Sequence, residues 1–325
     1  MYDTIPHLLL KFLRRKLYPF FFTPSQNTLP VCEMDLNKSN DMIYNLLLCN
    51  EPCLIARFGA NELAVTSNYL HIVKGKQKVI DYVTGHGGEW WWNDHSLQQF
   101  KQCAGVWPAT HDVAEKFAKL MIADSCDVDI LGSWLPDENL LSEELKNAQK
   151  VQLFNLEPFW AERPWTRILE GKRVLIVHPF VETIRTQYRK REQIFRNTAI
   201  LPEFELLTYK SVQSIGGNDN FKDWFHALAK MKDDIDKIDF EIAILGCGAY
   251  GLSLAAHIKR SGKKAIHLGG VTQILFGIKG RRWENPTIEM SRNGYYPDLF
   301  NDSWCRPSES ERPKSADQVE GACYW

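Results

Sequence analysis

The sequence predicts an α/β protein with a Rossmann-like, mostly parallel sheet and flanking helices. Three observations predict it. From residue 38 onward short apolar runs alternate with helical patterns, with no internal repeat and no long low-complexity linker; this is the rhythm of βα units. The runs Cys53–Phe58, Val128–Leu131, Val151–Leu156, Arg173–Val177, Glu241–Leu245 and Ala265–Leu268 read as strands, and most pass directly into turn residues and a helix. Finally, Phe240–Leu245 leads into Gly246-Cys247-Gly248-Ala249-Tyr250-Gly251, with a helical Leu252–Arg260 and a further strand behind it. That is the strand, G-x-G-x-x-G, helix context of a nucleotide-binding turn.

Three regions follow from the pattern. Residues 1–34 form a basic amphipathic arm with a Pro-containing connector, 35–300 one α/β domain, and 301–325 a tail. In the arm, Leu8–Leu10, Phe12, Leu13 and Leu17 interleave with Lys11, Arg14, Arg15 and Lys16. This stretch is too short and charged to span a bilayer, and its charges follow the apolar run, unlike those of a signal peptide. A helix over about Pro6–Tyr18 would suit an anionic membrane interface or pack on the protein's own core. Pro19, Pro24 and Pro30 predict a connector over residues 19–31. The polar composition of Asp302–Trp325 reads as a solvated tail, while the terminal Tyr324 and Trp325 offer an anchor against the domain.

In a parallel sheet ligands gather at the carboxyl ends of strands. The segments placed there are Arg57-Phe58-Gly59, Gly132-Ser133-Trp134, Glu157–Trp160, His178-Pro179-Phe180, Gly246-Cys247-Gly248 and Gly269-Gly270. Gly246, Gly248 and Gly251 would let backbone N–H groups approach a diphosphate. A dinucleotide enzyme wants an acidic residue closing the next strand for the ribose; that strand carries His267, which disfavours NAD. Arg57 and Glu62 flank another strand-to-helix turn, with Gly59 and Asn61 between them, one suited to phosphate and the other to a hydroxyl or metal. His178 and Glu182 sit at a strand end and the first turn of the helix after it, and Arg191 lies on the polar side of that helical stretch. Lys279, Arg281 and Arg282 form a basic loop. Trp90–Trp92 are consecutive, and neither a helix nor a strand turns three adjacent side chains to one core, so one of them, Trp91 in particular, is a candidate stacking surface. Thr110 reads as an N-cap ahead of His111 and Asp112.

Composition narrows the function. Lys+Arg of 39 against Asp+Glu of 40 gives a net charge of −1, which argues against a nucleic-acid binder that depends on a positive field. Eight Cys without a CxxC pair read as buried thiols in a reducing compartment and give no structural zinc site. The 11 Trp, 17 Phe and 11 Tyr exceed ordinary core needs and point to stacking on sugars or bases. Serine hydrolase, zincin, P-loop and EF-hand patterns do not occur.

Arg57-Phe58-Gly59-Ala60-Asn61-Glu62 resembles the R-F-G-D-G-E signature of the GT-D-fold bacterial glycosyltransferases. Gly246–Gly251 with Ala265–Gly270 is similar to that family's closing glycine turn and strand, in matching order over roughly residues 38–285. The resemblance implies a hexosyltransferase acting from a UDP-sugar on a lipid-diphosphate-linked glycan in O-antigen or capsule assembly, peripheral at the cytoplasmic face of the inner membrane through residues 1–22. Combined with the strand-end positions above, this makes Glu62, Glu182 and His178 the catalytic candidates, with Arg57, Gly59, Asn61, Trp91, Arg191, Gly246, Gly248, Gly251, Arg281 and Arg282 expected around substrate and nucleotide. The family's Asp-x-Glu pair points to Mn²⁺ or Mg²⁺. Here Ala60 replaces the Asp, so a metal would have Glu62 alone, and Arg57 or the Arg281/Arg282 loop would supply the positive charge instead. Two other readings remain open: a Rossmann-type methyltransferase or oxidoreductase, and a non-catalytic membrane-peripheral scaffold of a polysaccharide assembly complex.

Overall fold

The structure is a computed structural model describing residues 4–23, 28–75, 78–214, 220–312 and 324. Seven strands form a single sheet: β1 (Cys53–Arg57), β2 (Ile130–Ser133), β3 (Gln149–Gln152), β4 (Arg173–His178), β5 (Glu205–Lys210), β6 (Ile242–Leu245) and β7 (Lys264–His267). Their order is β3-β2-β1-β7-β6-β4-β5, and every neighbouring pair is parallel. The fold is the predicted α/β Rossmann-like one, with a wholly parallel sheet.

Burial of both faces explains the apolar strand sequences. Leu54 and Ala56 of β1, Leu175 and Val177 of β4 and Ala243 and Leu245 of β6 enter one core layer, while Cys53, Ile55, Val174, Ile176, Ile242 and Ile244 enter the other. This is the period-two alternation of a pleated strand. The first layer is covered by α2 (Ala60–Lys74), α3 (Asp94–Gln102), α4 (His111–Ser125), α6 (Trp224–Ile235) and α7 (Gly251–Arg260); the second by α1 (Leu36–Leu48), α5 (Val181–Tyr188) and the Trp165–Leu169 turn. Polar caps set the helix starts: Asp35 accepts from Lys38 N–H, Asn93 from His95 and Ser96, Asp223 from His226, and Thr110, as predicted, from Val113.

Two strand expectations change. The ladder of β3 stops at Gln152, whose side chain accepts the Phe154 N–H at 2.7 Å and turns Leu153–Leu156 into a 3₁₀ segment. Strand β5, absent from the sequence reading, lies at the sheet edge and is largely half-exposed, so it lacks the apolar run of its neighbours.

The ends differ from expectation as well. Helical structure in the arm runs from Ile5 to Phe21, through a π-helical stretch at Leu13–Leu17. Pro19 falls in the opening positions of the last turn, Tyr18–Phe21, where its missing N–H is tolerated, so the connector begins beyond Phe21. The chain from Asn301 to Arg312 is packed against the domain. Trp304 is buried and donates its indole N–H to Ile194 O at 3.1 Å. Glu311 accepts the N–H groups of Glu182 and Thr183 at 2.8 and 3.1 Å. As far as Arg312 the segment is thus ordered against the domain, held by an aromatic plug and a helix-capping carboxylate where its polar composition alone reads as solvated. Residues 313–323 and Trp325 lie outside the described residues.

Candidate functional site

The chain builds β1 to β3 outward in one direction and then crosses to β4, so the sheet changes winding direction around its centre. At that switch the carboxyl ends of β1, β7, β6 and β4 open into a pocket of about 300 Å³, where an open α/β sheet places its ligand.

Arg57 ends β1 in the pocket wall. Burial pulls its guanidinium below the ordinary arginine pKa, and the negative charge of Glu62 opposes that pull. The guanidinium lies 5.3 Å from the centre of the Trp134 ring. Trp134 is itself fixed, donating Nε1–H to Phe58 O at 3.1 Å and its backbone N–H to Glu138 at 2.9 Å. Glu62, in the first turn of α2, folds its carboxylate back over the Gly59 backbone. Gly59, Ala60 and Asn61 complete this wall.

Opposite stands the glycine turn after β6. A Cβ on Gly246 would lie 2.6 Å from the His178 ring and 2.8 Å from Thr272 Oγ1, so glycine is required for this close packing. Gly248 has a φ of +57°, in the left-handed region that favours glycine. The His178 Nδ1 accepts the Phe180 N–H at 3.0 Å, which leaves the proton on Nε2. Burial lowers the His178 pKa to about 3. His267 is likewise held at about 3, by burial first and then by Arg57. Both rings are neutral at ordinary pH, so His178 enters the pocket as a hydrogen-bond donor.

Four buried polar atoms in or beneath this pocket lack a hydrogen-bond partner within the described chain: Arg57 Nε, His267 Nδ1, Thr272 Oγ1 and Gln273 Oε1. Buried polar atoms are normally paired, so their convergence marks a place prepared for a polar ligand. Arg282 and Tyr324 close the outer rim, with Arg282 Nη1 donating to Tyr324 Oη at 2.9 Å.

Of the candidates from sequence, Arg57, Gly59, Asn61, Glu62, His178, Gly246, Gly248 and Arg282 all line the pocket. Five do not. Trp91 is fully buried, stacked on His7 and edge-on to Trp90. All three tryptophans are buried because the chain is irregular there: Trp90 and Trp91 enter a small cluster with Tyr82, and Trp92 enters the main core. Arg191 pairs with Glu192 and Glu203 at 3.3 and 3.0 Å, away from the pocket. Glu182 pairs with Arg185 at 2.8 Å on the exposed face of α5. Gly251 is a packing glycine, since a Cβ there would lie 2.0 Å from the His267 ring. Arg281 is exposed and only its neighbour Arg282 faces the pocket. Trp134, His267, Gln273 and Tyr324 line the pocket as well. Trp134 and His267 stand at strand ends in the sequence pattern and Tyr324 reads there as an anchor of the tail, whereas nothing local distinguishes Gln273.

The donor set does not fit a preformed divalent-metal centre. Glu62 is the one carboxylate among the described pocket-lining residues and it faces a buried guanidinium. Among the described residues no cluster of three or more His, Cys, Asp or Glu side chains could hold a metal ion.

Fold and site together define a Rossmann-like α/β protein with a central, arginine-walled crevice. Compared with protein-family models, curated proteins and solved structures, the chain matches none.

Proposed function

We propose that the chain is a glycosyltransferase moving a hexose from a UDP-sugar to a lipid-diphosphate-linked glycan acceptor in bacterial surface polysaccharide assembly. The observation that carries this reading is the meeting, at one sheet switch point, of buried Arg57, Arg282 and the Gly246–Gly248 turn with Glu62, the one carboxylate among the described lining residues. Breaking a glycosyl–phosphate bond leaves negative charge on the departing diphosphate. Preorganised cations and N–H groups stabilise such charge most effectively in a site that excludes water. Arg57 and Arg282 fill that role, and His178 donates through Nε2. Glu62 takes the proton of the acceptor hydroxyl as its oxygen attacks the anomeric carbon and the bond to UDP breaks. No step is assigned to a metal.

Position in the cell is part of the same proposal. Among the described residues no helix is long and apolar enough to cross a membrane. The arm exposes Ile5, Leu8, Leu9, Phe12, Phe20 and Phe21, which fits peripheral attachment at the inner face of the cytoplasmic membrane. The end of β7 offers His267 where a nicotinamide enzyme wants a carboxylate, which weighs against an oxidoreductase.

The test is a panel of UDP-sugars offered to the purified chain, with UDP release followed by mass spectrometry. Release faster in the presence of a glycosyl-diphosphate-lipid analogue is expected, along with loss of turnover in a folded Glu62→Gln variant. Failure to bind any UDP-sugar overturns the reading and leaves the scaffold alternative, which Ala60 favours.

A further inference from the structure

A second cavity, of about 530 Å³, opens beside the arm. Arg14 and Arg15 line it from the arm, His71 from α2, His86 and Glu89 from the loop before the tryptophans, and Asp137 from the turn after β2. The arm is docked with part of its basic side inward. Arg14 Nη1 donates to Gly87 O at 2.7 Å and its guanidinium lies 4.7 Å from the centre of the Tyr82 ring. Lys11 approaches Glu89 at 3.9 Å, and His7 stacks on Trp91 with ring centres 4.0 Å apart. Glu89 is further engaged by Tyr82 Oη and Asn93 Nδ2. Glu89 is thereby engaged within the protein, and the remaining lining sets Arg14, Arg15 and His86 against Asp137, beside a His71 ring whose pKa is lowered by burial.

What the arm turns outward is largely apolar, with Arg15 and Lys16 also exposed. Ile5, Leu8, Leu9 and Phe12 recur at spacings of three and four and are all exposed, as are Phe20 and Phe21 beyond them. An α-helix is about 10 Å across, and a surface-lying helix sinks its apolar face about 5–10 Å into the boundary between headgroups and acyl chains. With the stripe at that boundary, the cavity on the far side of the same helix stands at headgroup level, and exposed Arg15 stands at its rim.

We propose that this cavity binds the phosphate-bearing headgroup of a membrane lipid, whose acyl chains lie beside the apolar stripe of the arm. The shape calls for one ligand that is anionic at one end and apolar at the other. Basic groups contributed by the arm and the Gly85–Glu89 loop give phosphate oxygens convergent donors. The assignment rests on neither the strand-end pocket nor glycosyl transfer. Its consequence for that chemistry is nearness, since Glu62 and His71 stand nine residues apart on α2, about 13 Å along the helix axis.

Flotation of the full chain with phosphatidylcholine vesicles, with and without phosphatidic acid, tests it. Binding should require phosphatidic acid. Arg15→Ala and His86→Ala, which alter the cavity, should each weaken it on the order of tenfold, whereas Lys16→Ala, which removes the same charge as Arg15→Ala but outside the cavity, should weaken it about fivefold or less. Phe20→Ser/Phe21→Ser should abolish flotation yet leave calorimetric binding of inorganic pyrophosphate intact. Equal losses in Arg15→Ala and Lys16→Ala would overturn the cavity in favour of diffuse attraction. Pyrophosphate bound as tightly as the vesicles, with flotation indifferent to the phenylalanine changes, would overturn the lipid and assign a free phosphate. Absence of binding to both probes would overturn the whole proposal.

Discussion

The Glu62 carboxylate occupies the space that a side chain on Gly59 would need: a Cβ at position 59 would lie 2.1 Å from Glu62 Oε2. The φ of Gly59 is −76°, which any residue adopts, so glycine is there for room and not for backbone freedom. Gly59→Ala is therefore expected to fold normally while driving the carboxylate from its position. Thermal unfolding should shift by no more than about 1 kcal/mol, because the displaced group is the end of a flexible side chain. Donor turnover should fall on the order of a hundredfold. Normal turnover in Gly59→Ala would show that the position of Glu62 is not used.

Arg57 makes the second prediction. Its buried Nε lacks a partner in the described chain, and its planar group lies over Trp134. A lysine would keep the charge but lose the fork and the stacking face. Calorimetry with UDP should show Arg57→Lys binding roughly tenfold to a hundredfold more weakly, the range for charge-assisted hydrogen bonds. Equal affinity in the lysine variant would mean that only charge matters at this position.

Acid sensitivity follows from the buried rings. His178 and His267 have pKa values lowered from 6.5 to about 3 by burial. Between these limits the unfolded chain binds protons that the native chain refuses, so their contribution to stability is lost as pH falls from 6.5 towards 3. Glu157 acts in the opposite sense. Burial raises its carboxyl from 4.5 to about 7, so its contribution is complete below pH 4.5 and lost as pH rises through 7. Between 4.5 and 6.5 two imidazoles outweigh one carboxyl, and the melting temperature should fall on acidification. His178→Asn retains an acceptor for the Phe180 N–H and should flatten this dependence; an unchanged slope would contradict a neutral buried imidazole.

Glu311 ties the C-terminal segment to α5. Its carboxylate is buried, accepts two backbone N–H groups at the helix start, and also meets the Thr183 hydroxyl. Glu311→Ala should cost about 1–3 kcal/mol in urea unfolding, since it strips partners from buried donors at the positive end of the helix dipole. Faster hydrogen exchange at Glu182 and Thr183 would accompany it, and unchanged exchange would refute the capping role.

Periodicity and turn chemistry in the sequence determined the parallel α/β fold, six of its strands and the crevice residues that immediately follow them. Strand ends are local features, and a parallel sheet brings them to one edge whatever the strand order, so Arg57, Glu62, His178 and Gly246 were legible. Tertiary structure alone decided the rest. The aromatic abundance first read as stacking surface became mostly core: Trp91, Trp165 and Trp224 are fully buried, and Trp134 is the tryptophan that lines the crevice among the described residues. Arg191 and Glu182 share the pattern of functional residues, yet Glu182 is turned outward on α5 to Arg185, and Arg191, beyond the end of that helix at Tyr188, pairs with Glu203. Gln273 and Tyr324 reach the crevice from positions 51 residues apart, and no spacing rule encodes such a meeting. Hydrophobic pattern fixes which face of an element is buried, but the neighbour it is buried against depends on how the whole sheet is ordered.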